Sequence, residues 1–421
     1  MAIAGAGGAG AGGAGAGGAG AGGAGAGGAG AGGAGAGGAG AGGAGAGGAG
    51  HAGGPTSLPL SSALSVTHDA TVGFWKTGED KILDGITQTQ NPKPNKYDEL
   101  MYLSYDRRAS IVGGTLASQF SVEPVTVDNK SSDKSNPAKD NVGATLHVQG
   151  VPLVRLETPS QIFFEHQLRY VRNYADLRMD RIPEIQTQTY DILSFLGSSY
   201  RLDTGQRRHS LEFLELIHGL VIQVTMRVKH MSWAPRPIDM SPNVQPIIQT
   251  PVHSSFPSGH ATESFALATV LHRLATDEFG VEGVKKLAMP FRIAHRIAVN
   301  RTIAGVHFPV DSAAGAMLGV ILGDALYSLC ATPGDETRNW HPKPAETSKS
   351  SSDAPVYTLD FPMAAASDSP LLTEDQDFTL QWMNSVIEND RFKVGAKDKR
   401  LTSTGDPILH RMLQLAKDEW A

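Results

Sequence analysis

Three short polar motifs between residues 229 and 311 contain the side chains best suited to chemistry. They read Lys229-x6-Arg236-Pro237, Pro257-Ser258-Gly259-His260 and Arg301-x5-His307-x3-Asp311. Together they supply three cations, a hydroxyl, a glycine amide and two imidazoles. Guanidinium and ammonium groups bind phosphate-like oxygens, and imidazole acts as an acid, a base, a nucleophile or a ligand. The motifs therefore predict a site that holds a tetrahedral oxyanion and performs acid–base or nucleophilic chemistry on it.

The second motif is expected to open a helix. Ser258 and Gly259 follow Pro257, and the first backbone N–H groups of a helix, together with its dipole, favour an anion. The serine hydroxyl adds a donor, and the glycine lets an anion approach the backbone closely. The alternative interpretation is an ordinary serine N-cap.

The other two motifs place charged groups at short spacing. Lys229 and Arg236 flank the end of a predicted helix, where Pro237 fixes the chain; the alternative is a pair of solvated charges. His307 and Asp311 are four residues apart, so the carboxylate can accept from one ring nitrogen and leave the other free. The alternative there is a capping aspartate beside a satisfied histidine.

Apolar residues at helical spacing begin near residue 159 and place these motifs at helix ends. The pattern predicts a mainly α fold, a helical bundle interrupted by a proline-rich loop over residues 231–257, and a long loop in a compact domain is usually functional. The predicted helices cover 160–178, 185–196, 211–228, 258–279, 290–303 and 309–330, with weaker helical patterning over 373–420.

The chain divides into four parts by composition. Residues 4–50 repeat AGAGG and hold more than half of the 50 glycines, so they cannot bury enough apolar surface to offset their ordering entropy. Residues 127–141 are predicted to be a solvated loop. The parts are a disordered Gly/Ala-rich tail over 1–54, an irregular region with short strands and helices over 55–158, a helical core with the active site over 159–332, and a polar linker with C-terminal helices over 333–421.

Composition also excludes several classes of protein. A net charge of −6 gives no basic surface for nucleic acid, and the single Cys330 allows no intramolecular disulfide. The N-terminus lacks a basic segment followed by an apolar one, so no signal peptide is predicted. The apolar run 312–329 contains Asp324 and many small residues, which favours a packed core helix over a membrane span. We therefore expect a cytoplasmic protein without a membrane span, with export by another route left open.

The three motifs resemble the signature of the type 2 phosphatidic acid phosphatase and vanadium haloperoxidase superfamily, which reads K-x6-RP, PSGH and SR-x5-H-x3-D in the same order. The resemblance covers about 80 residues, and Asn300 departs from it because the family usually has serine there. It implies the helical bundle of this superfamily. By resemblance, the equatorial oxygens of the anion are bound by Lys229, Arg236, Ser258, Gly259 and Arg301, which we call the oxyanion cradle.

The resemblance also implies roles for the other site residues. His307 attacks phosphorus or is the protein ligand of vanadium, and Asp311 orients it. His260 is the acid–base residue on the opposite side of the anion. Vanadate is the implied cofactor, with phosphate able to occupy the same site, and no nucleotide cofactor is expected.

Two activities share this kind of pocket, and the sequence favours a vanadium-dependent haloperoxidase. The composition is that of a soluble protein, and about 370 foldable residues exceed what small soluble acid phosphatases need. His253, five residues before Ser258, stands where bromoperoxidases have a histidine, although an exposed loop histidine is the alternative. Bromide or iodide is expected rather than chloride, but Met226 departs from the aromatic residue or arginine of well-known haloperoxidases.

The expected partners follow from these activities. A haloperoxidase would use hydrogen peroxide, a halide and a small organic acceptor, whereas the alternative, a soluble acid phosphatase, would hydrolyse a phosphomonoester through a phosphohistidine. A homodimer is an expectation from the resemblance, and a non-enzymatic scaffold assembled by the Gly/Ala tail is a third hypothesis. Near the motifs, His230 is expected at the surface, Trp233 packed against the bundle, and Asp239 and Glu263 solvated or capping.

Overall fold

A computed structural model describes residues 103–125, 143–331, 354–355, 357–361, 371–388, 392–394 and 400–421. The chain forms two compact units, Met1–Ile111 and Val112–Ala421, and the site lies entirely in the second. The predicted tail at 1–54 and the predicted solvated loop at 127–141 lie outside the described residues.

Helices dominate the second unit, and the mainly α fold class is confirmed. The helices are α1 Tyr105–Ala117, α2 Gln161–Tyr174, α3 Arg178–Thr187, α4 Leu193–Gly197, α5 Arg208–Met231, α6 Pro237–Met240, α7 Gly259–Thr276, α8 Gly280–Lys285, α9 Met289–Ile303, α10 Pro309–Cys330, α11 Leu380–Glu388 and α12 Pro407–Asp418. Short 3-10 turns lie at Ala175–Leu177 and Pro242–Val244. The strands are β1 Phe120–Pro124, β2 Gly143–Val148, β3 Val151–Glu157, β4 Ala354–Pro355, β5 Tyr357–Phe361, β6 Phe392–Val394 and β7 Arg400–Leu401.

The strands form a five-stranded sheet in the order β1-β2-β3-β5-β6 and a small pair, β4-β7. Gln149 and Gly150 join β2 to β3, both with positive φ (51° and 77°), as a type I′ hairpin turn requires. β3 and β5 are parallel, with Val154 opposite Leu359. The region predicted as a polar linker therefore contributes strands, and the domain boundaries at 158/159 and 332/333 remain predictions.

Helices α7 and α10 pack closely at the centre of the second unit, because glycines let their backbones approach. A Cβ added at any of three glycines of α10 would lie only 2.5 to 2.7 Å from a main-chain carbonyl oxygen of α7 or its N-cap. The pairs are Gly315 with Ser258, Gly319 with Thr262, and Gly323 with Ala266. The spacing of these two helices is therefore set by backbone contact, and both helices begin at the predicted site.

The predicted helices over 160–178 and 185–196 differ from the observed ones. The chain instead forms α2, a 3-10 turn, α3 and then the short α4. Gln188, the C-cap of α3, offers its main-chain carbonyl to His260 and its side chain to Arg301. The helix predicted over 185–196 would run through Gln188. Its contacts with α7 and α9 instead favour a helix end at this residue.

Helix α10 is long and apolar enough to cross a membrane, with a mean hydropathy of 1.6. At 1.5 Å per residue its length is about 33 Å, close to the thickness of a bilayer core. All of its residues are buried by the rest of the fold, as expected of a packed core helix. Asp324 is not an isolated charge, because Arg273 Nη1 lies 3.4 Å from its Oδ1 and the N–H of Gly280 donates to it. The presence of Asp324 is therefore a poor argument against a membrane span.

Candidate active site

Lys229 lies at the end of α5 and points into the protein, where its side chain is buried. Its Nζ donates to the carbonyl oxygens of Ser254 and Ser255, at 2.8 and 3.1 Å. Burial lowers the pKa of Lys229 well below its usual value, and the nearby charge of Arg236 acts in the same direction. The ammonium group is thus fixed against the loop that precedes Ser258.

Arg236 connects this loop to the third motif. Its Nε and Nη2 donate to the carbonyl oxygens of His253 and Ser254, and its Nη2 lies 3.1 Å from His253 Nδ1. Its Nη1 donates to the carbonyl oxygen of Val306 at 2.8 Å and contacts His307 Nε2 at 3.0 Å. Because a guanidinium group has no acceptor, His307 Nε2 must present its lone pair here.

The carboxylate of Asp311 fixes the other side of the His307 ring. Its Oδ2 accepts from His307 Nδ1 at 3.0 Å, from the N–H of Phe308 at 2.9 Å and from the hydroxyl of Ser255. Burial lowers the pKa of His307 well below its usual value, and the charges of Arg236 and Lys229 add to this effect. His307 is therefore a neutral imidazole, and its Nε2 lone pair can act as a nucleophile or ligand when Arg236 Nη1 turns away from it.

The start of α7 lies beside Lys229 and Asp311. Ser258 caps the helix with its side chain, and its N–H donates to the carbonyl oxygen of Asp311 at 2.8 Å, which ties the second motif to the third. A Cβ on Gly259 would lie 3.2 Å from Glu263 Oε1 and 3.7 Å from Lys229 Cε. Glycine thus keeps the helix N-terminus open beside the lysine.

Arg301 enters the site from α9 and keeps part of its guanidinium group unpaired. Nη2 donates to the carbonyl oxygen of Ile185 at 3.2 Å and to Gln188 Oε1 at 3.0 Å. Nε and Nη1 are buried and have no hydrogen-bond partner in the described structure. Burial lowers the pKa of Arg301 to about 10, so it remains charged at neutral pH. Two unsatisfied buried donors on a cation fit an anion such as phosphate or vanadate.

His260 and His253 are the two remaining imidazoles of the predicted site. His260 Nε2 lies 2.8 Å from the carbonyl oxygen of Gln188, which can only accept, so Nε2 carries a hydrogen. Burial lowers the pKa of each histidine to about 4. The charge of Arg301 adds to the effect at His260, and the charges of Lys229 and Arg236 add to it at His253. Both rings are neutral at pH 7 in the protein without a bound anion.

Glu263 was predicted to be solvated or capping, and that prediction is wrong. Its side chain is 16% exposed, and its Oε2 lies 3.1 Å from Nε2 of the buried His218. Burial alone would raise the pKa of Glu263, but the hydrogen bond from His218 and the charges of His260, His218 and Lys229 outweigh it and lower the pKa to about 2. An ionised carboxylate therefore belongs to this site.

Four residues flank the site in sequence, and some of them lie where the sequence predicts while others do not. His230 is exposed, as predicted, and Asp239 caps by accepting from the N–H of Arg236 at 2.8 Å. Trp233 does not pack the loop against the bundle, because it is 63% exposed. Met226 is also exposed.

The fold brings all of the sequence-predicted site residues into one network of contacts. Sequence reasoning missed three further members, Ser255, Gln188 and Glu263. Glu263 had a usable signal, since it lies three residues after His260 and four after Gly259, on the same face of α7. The arrangement can bind a tetrahedral anion between the cradle cations, with a neutral imidazole on His307 and a second one on His260.

Comparison with known proteins identifies the family of this segment. A family model described as the PAP2 superfamily matches residues 213–333. The decaprenylphosphoryl-5-phosphoribose phosphatase of Mycobacterium tuberculosis is 35% identical over 82 residues, which cover 20% of this chain and 41% of that protein. The bacitracin transport permease protein BcrC of Bacillus licheniformis is 30% identical over 99 residues, which cover 23% of this chain and 43% of that protein. The matches thus span about two fifths of the length of these relatives.

A solved structure is also similar to this chain. It is a transmembrane PAP2 type phosphatidylglycerolphosphate phosphatase from Bacillus subtilis, with 20% identity, a TM-score of 0.22, and a match that covers 37% of this chain and 72% of that one.

The expectations of a cytoplasmic location and of no membrane span are wrong. They are contradicted by similarity to a transport permease and by the length and hydropathy of α10. Asp324 gave these expectations no sound support, because Arg273 Nη1 lies 3.4 Å from its Oδ1.

The closeness to haloperoxidases that the sequence suggested finds no support among these relatives, which include a named phosphatase. The cradle, Asp311 and the three candidate catalytic histidines, His253, His260 and His307, all lie inside the matched segment. Residues 213–333 of this chain form a PAP2 superfamily domain.

Proposed function

We propose that this chain is a phosphatase that hydrolyses phosphate monoesters through a phosphohistidine at His307. The observation that carries the proposal is the pair of buried, unpaired guanidinium nitrogens of Arg301 in a site that also holds a neutral His307. Donors without partners in the described structure suit an oxyanion that arrives and leaves. The names of the relatives favour hydrolysis over halide oxidation, so the alternative from the sequence becomes the first choice.

In the first step, His307 Nε2 attacks phosphorus while the ester P–O bond breaks. The leaving alkoxide takes the proton that His260 gains when the anionic substrate binds, and the phosphoryl group stays on His307 Nε2. Asp311 holds the proton on Nδ1 and stabilises the positive charge that develops on the ring. Arg236 Nη1, which contacts Nε2 in the described structure, would turn to a phosphate oxygen.

In the second step, water attacks the phosphorus of the phosphohistidine. The water gives a proton to His260, the P–N bond breaks, and inorganic phosphate leaves. His260 is then protonated again and His307 Nε2 regains its lone pair. In both steps the cradle donors stabilise the charge on the three equatorial oxygens.

The substrate proposal follows the relative from Mycobacterium tuberculosis, whose name describes a lipid-linked phosphate ester. Two exposed apolar side chains flank the residues of the site and support an apolar leaving group. Trp233 lies three residues before Arg236 and is 63% exposed, and Val252 directly precedes His253 and is 99% exposed. We therefore infer a phosphomonoester on a lipid or another apolar alcohol.

Vanadate fits the same donors, and the cradle would hold its oxygens with His307 as the ligand. When bound, it would supply activation of peroxide for halide oxidation. In the phosphatase proposal vanadate is instead an inhibitor that resembles the pentacoordinate transition state.

The test uses the purified full-length chain with a lipid phosphate and with p-nitrophenyl phosphate. We expect release of inorganic phosphate from both, inhibition by orthovanadate, and a loss of roughly 10³-fold or more in kcat for His307→Ala. His230→Ala, an exposed histidine next to Lys229, is the matched control and should retain activity. A parallel assay with orthovanadate, peroxide and bromide discriminates the activities. Bromide oxidation without phosphate release would overturn the proposal.

A further inference from the structure

Glu263 places a second carboxylate, besides Asp311, in a site that holds three cations. It follows His260 by three residues on α7, so both side chains lie on the same face of the helix. Its Oε1 and Lys229 Cε both lie within 4 Å of the point where a Gly259 Cβ would stand. The carboxylate is therefore at the edge of the oxyanion cradle, where a bound phosphate would repel it.

A buried partner holds this carboxylate in place. Oε2 lies 3.1 Å from Nε2 of His218, which belongs to α5, about three turns before Lys229. His218 is 8% exposed, so the contact is shielded from solvent. A carboxylate fixed in this way acts as a permanent charge on its neighbours.

A fixed negative charge of this kind matters most for His260, because it favours the protonated ring. The charged and titratable groups that face it are Arg301 from α9, His218 from α5, His307 from the segment before α10, and Glu263 from its own helix. Arg301 and burial both favour the neutral ring, whereas Glu263 and the carbonyl oxygen of Gln188 favour the protonated one. Of these four groups, Glu263 is the one that carries a negative charge.

We propose that Glu263, held by His218, is a positioning residue that favours protonation of His260 for donation to the leaving group. This inference rests on the proposed phosphatase function. The hydrogen on Nε2 is held by Gln188, so the proton that moves to the leaving oxygen is the one on Nδ1. Glu263 itself neither bonds to phosphorus nor gives up a proton in the reaction.

Leaving groups of different basicity separate this role from a structural one. An alkyl phosphate needs a proton at its leaving oxygen, whereas p-nitrophenolate leaves without one. Glu263→Gln keeps the size of the side chain and a hydrogen-bonding group for His218, and removes only the charge. We expect the basic limb of the kcat–pH profile for an alkyl phosphate to move about one unit towards acid, which is roughly a tenfold loss on that limb.

The same variant should change kcat for p-nitrophenyl phosphate by less than about threefold, since that reaction does not depend on the acid. Glu263→Asp should recover part of the alkyl phosphate activity. Glu282→Gln, which removes a surface carboxylate paired with Lys285, is the matched control and should behave as wild type. Equal losses for both substrates with an unmoved pH profile would overturn the proposal, as would a change confined to phosphate affinity.

A direct titration keeps the inference testable if the wild-type chain hydrolyses neither ester. The ring of His260 can be followed by NMR in labelled protein, assigned with His260→Gln, with and without inorganic phosphate. Glu263→Gln should lower the pKa of His260 by about one unit. An unchanged titration in a folded variant contradicts the role of Glu263, whereas absent hydrolysis with a shifted titration contradicts only the proposed function.

Discussion

Gln188 links two functional side chains that come from different helices. Its Oε1 accepts from Arg301 at 3.0 Å, and its main-chain oxygen accepts from His260 at 2.8 Å. Asn300 donates to the same Oε1 at 3.0 Å and also to Glu184. Asn300, which departs from the superfamily pattern, thus contacts the Gln188 side chain that binds Arg301. The contact with Gln188 is a role for the amide of asparagine at this position.

Gln188→Ala should weaken anion binding without changing acid catalysis. Arg301 loses an acceptor that fixes its orientation, whereas the main-chain contact of residue 188 with His260 remains. We expect the inhibition constant for inorganic phosphate to rise roughly tenfold, since a hydrogen bond to a charged group contributes about 1.5 kcal/mol or more. The ratio of rates for alkyl and p-nitrophenyl phosphates should stay at its wild-type value.

Asn300→Ser provides a graded comparison for this residue. It leaves Gln188 in place but removes one of its two donors, so the effect on phosphate inhibition should be smaller and in the same direction. Wild-type phosphate affinity in Gln188→Ala would show that Arg301 is oriented without its help.

At the scale of elements, the site depends on how closely α7 approaches α10. α7 presents Ser258 and His260 at its start, and α10 presents Asp311 in its first turn. The N–H of Ser258 donates to the carbonyl oxygen of Asp311, so the two helix starts are bonded directly. Gly319 lies in the middle of this contact, where a Cβ would meet the Thr262 carbonyl oxygen at 2.5 Å.

Gly319→Ala should destabilise the protein by roughly 1 to 3 kcal/mol, because the opposing atoms belong to backbone and cannot rotate away. It should also lower kcat, since moving α10 away from α7 separates Asp311 from Ser258. Gly219→Ala in α5 is the matched control, because nothing lies within 4 Å of its Cβ position. That substitution should stabilise by about 0.5 to 1 kcal/mol through helix propensity. Chemical denaturation of both variants measures the difference, and equal effects would refute backbone contact as the cause.

At the scale of the whole molecule, burying the site makes stability depend on pH. The folded-state pKa of His260 and of His253 is about 4, below the ordinary 6.5, and burial also lowers the pKa of His307 well below that value. Between pH 6.5 and 4 the unfolded chain therefore binds protons that the folded chain does not. The pKa of Glu263 is about 2, below the ordinary 4.5, so this group also makes the free energy of unfolding fall as the pH falls, at lower pH. Burial raises the pKa of Asp311 and of Asp324 to about 6, above the ordinary 3.8, and these two carboxyls act in the opposite direction below pH 6. Because the buried histidines with a lowered pKa outnumber them, we expect the free energy of unfolding to fall as the pH falls from 6.5 to 4.

We expect the midpoint of thermal unfolding to decrease between pH 6.5 and pH 4, with part of the decrease below pH 6 offset by Asp311 and Asp324. His260→Gln removes one of the groups that must stay neutral, so its curve should be flatter over this range. Scanning calorimetry or circular dichroism at half-unit steps of pH provides the measurement. Parallel curves for the variant and the wild type would show that His260 titrates normally in the folded protein.

The sequence by itself determined the chemical inventory of the site and the existence of most helices around it. The site residues could be predicted because an oxyanion requires particular residue types, such as Lys229, Arg236 and His307. Four helices could be predicted because their buried faces impose a helical period, namely α5, α7, α9 and α10. The location of the protein in the cell could not be predicted from residue types and helical period. The predicted cytoplasmic placement rested on composition and on the charge of Asp324, which pairs with Arg273, 51 residues earlier, and is contradicted by similarity to a transport permease.

Only the tertiary structure decided which ordinary polar residues belong to the site. Ser255, Gln188 and Glu263 are common types at unremarkable positions, and their roles come from partners on other helices. It also decided where α3 ends, since Gln188 bonds to α7 and α9. A sequence pattern records which face of a helix is buried, whereas hydrogen bonds between distant segments depend on the packing that brings them together.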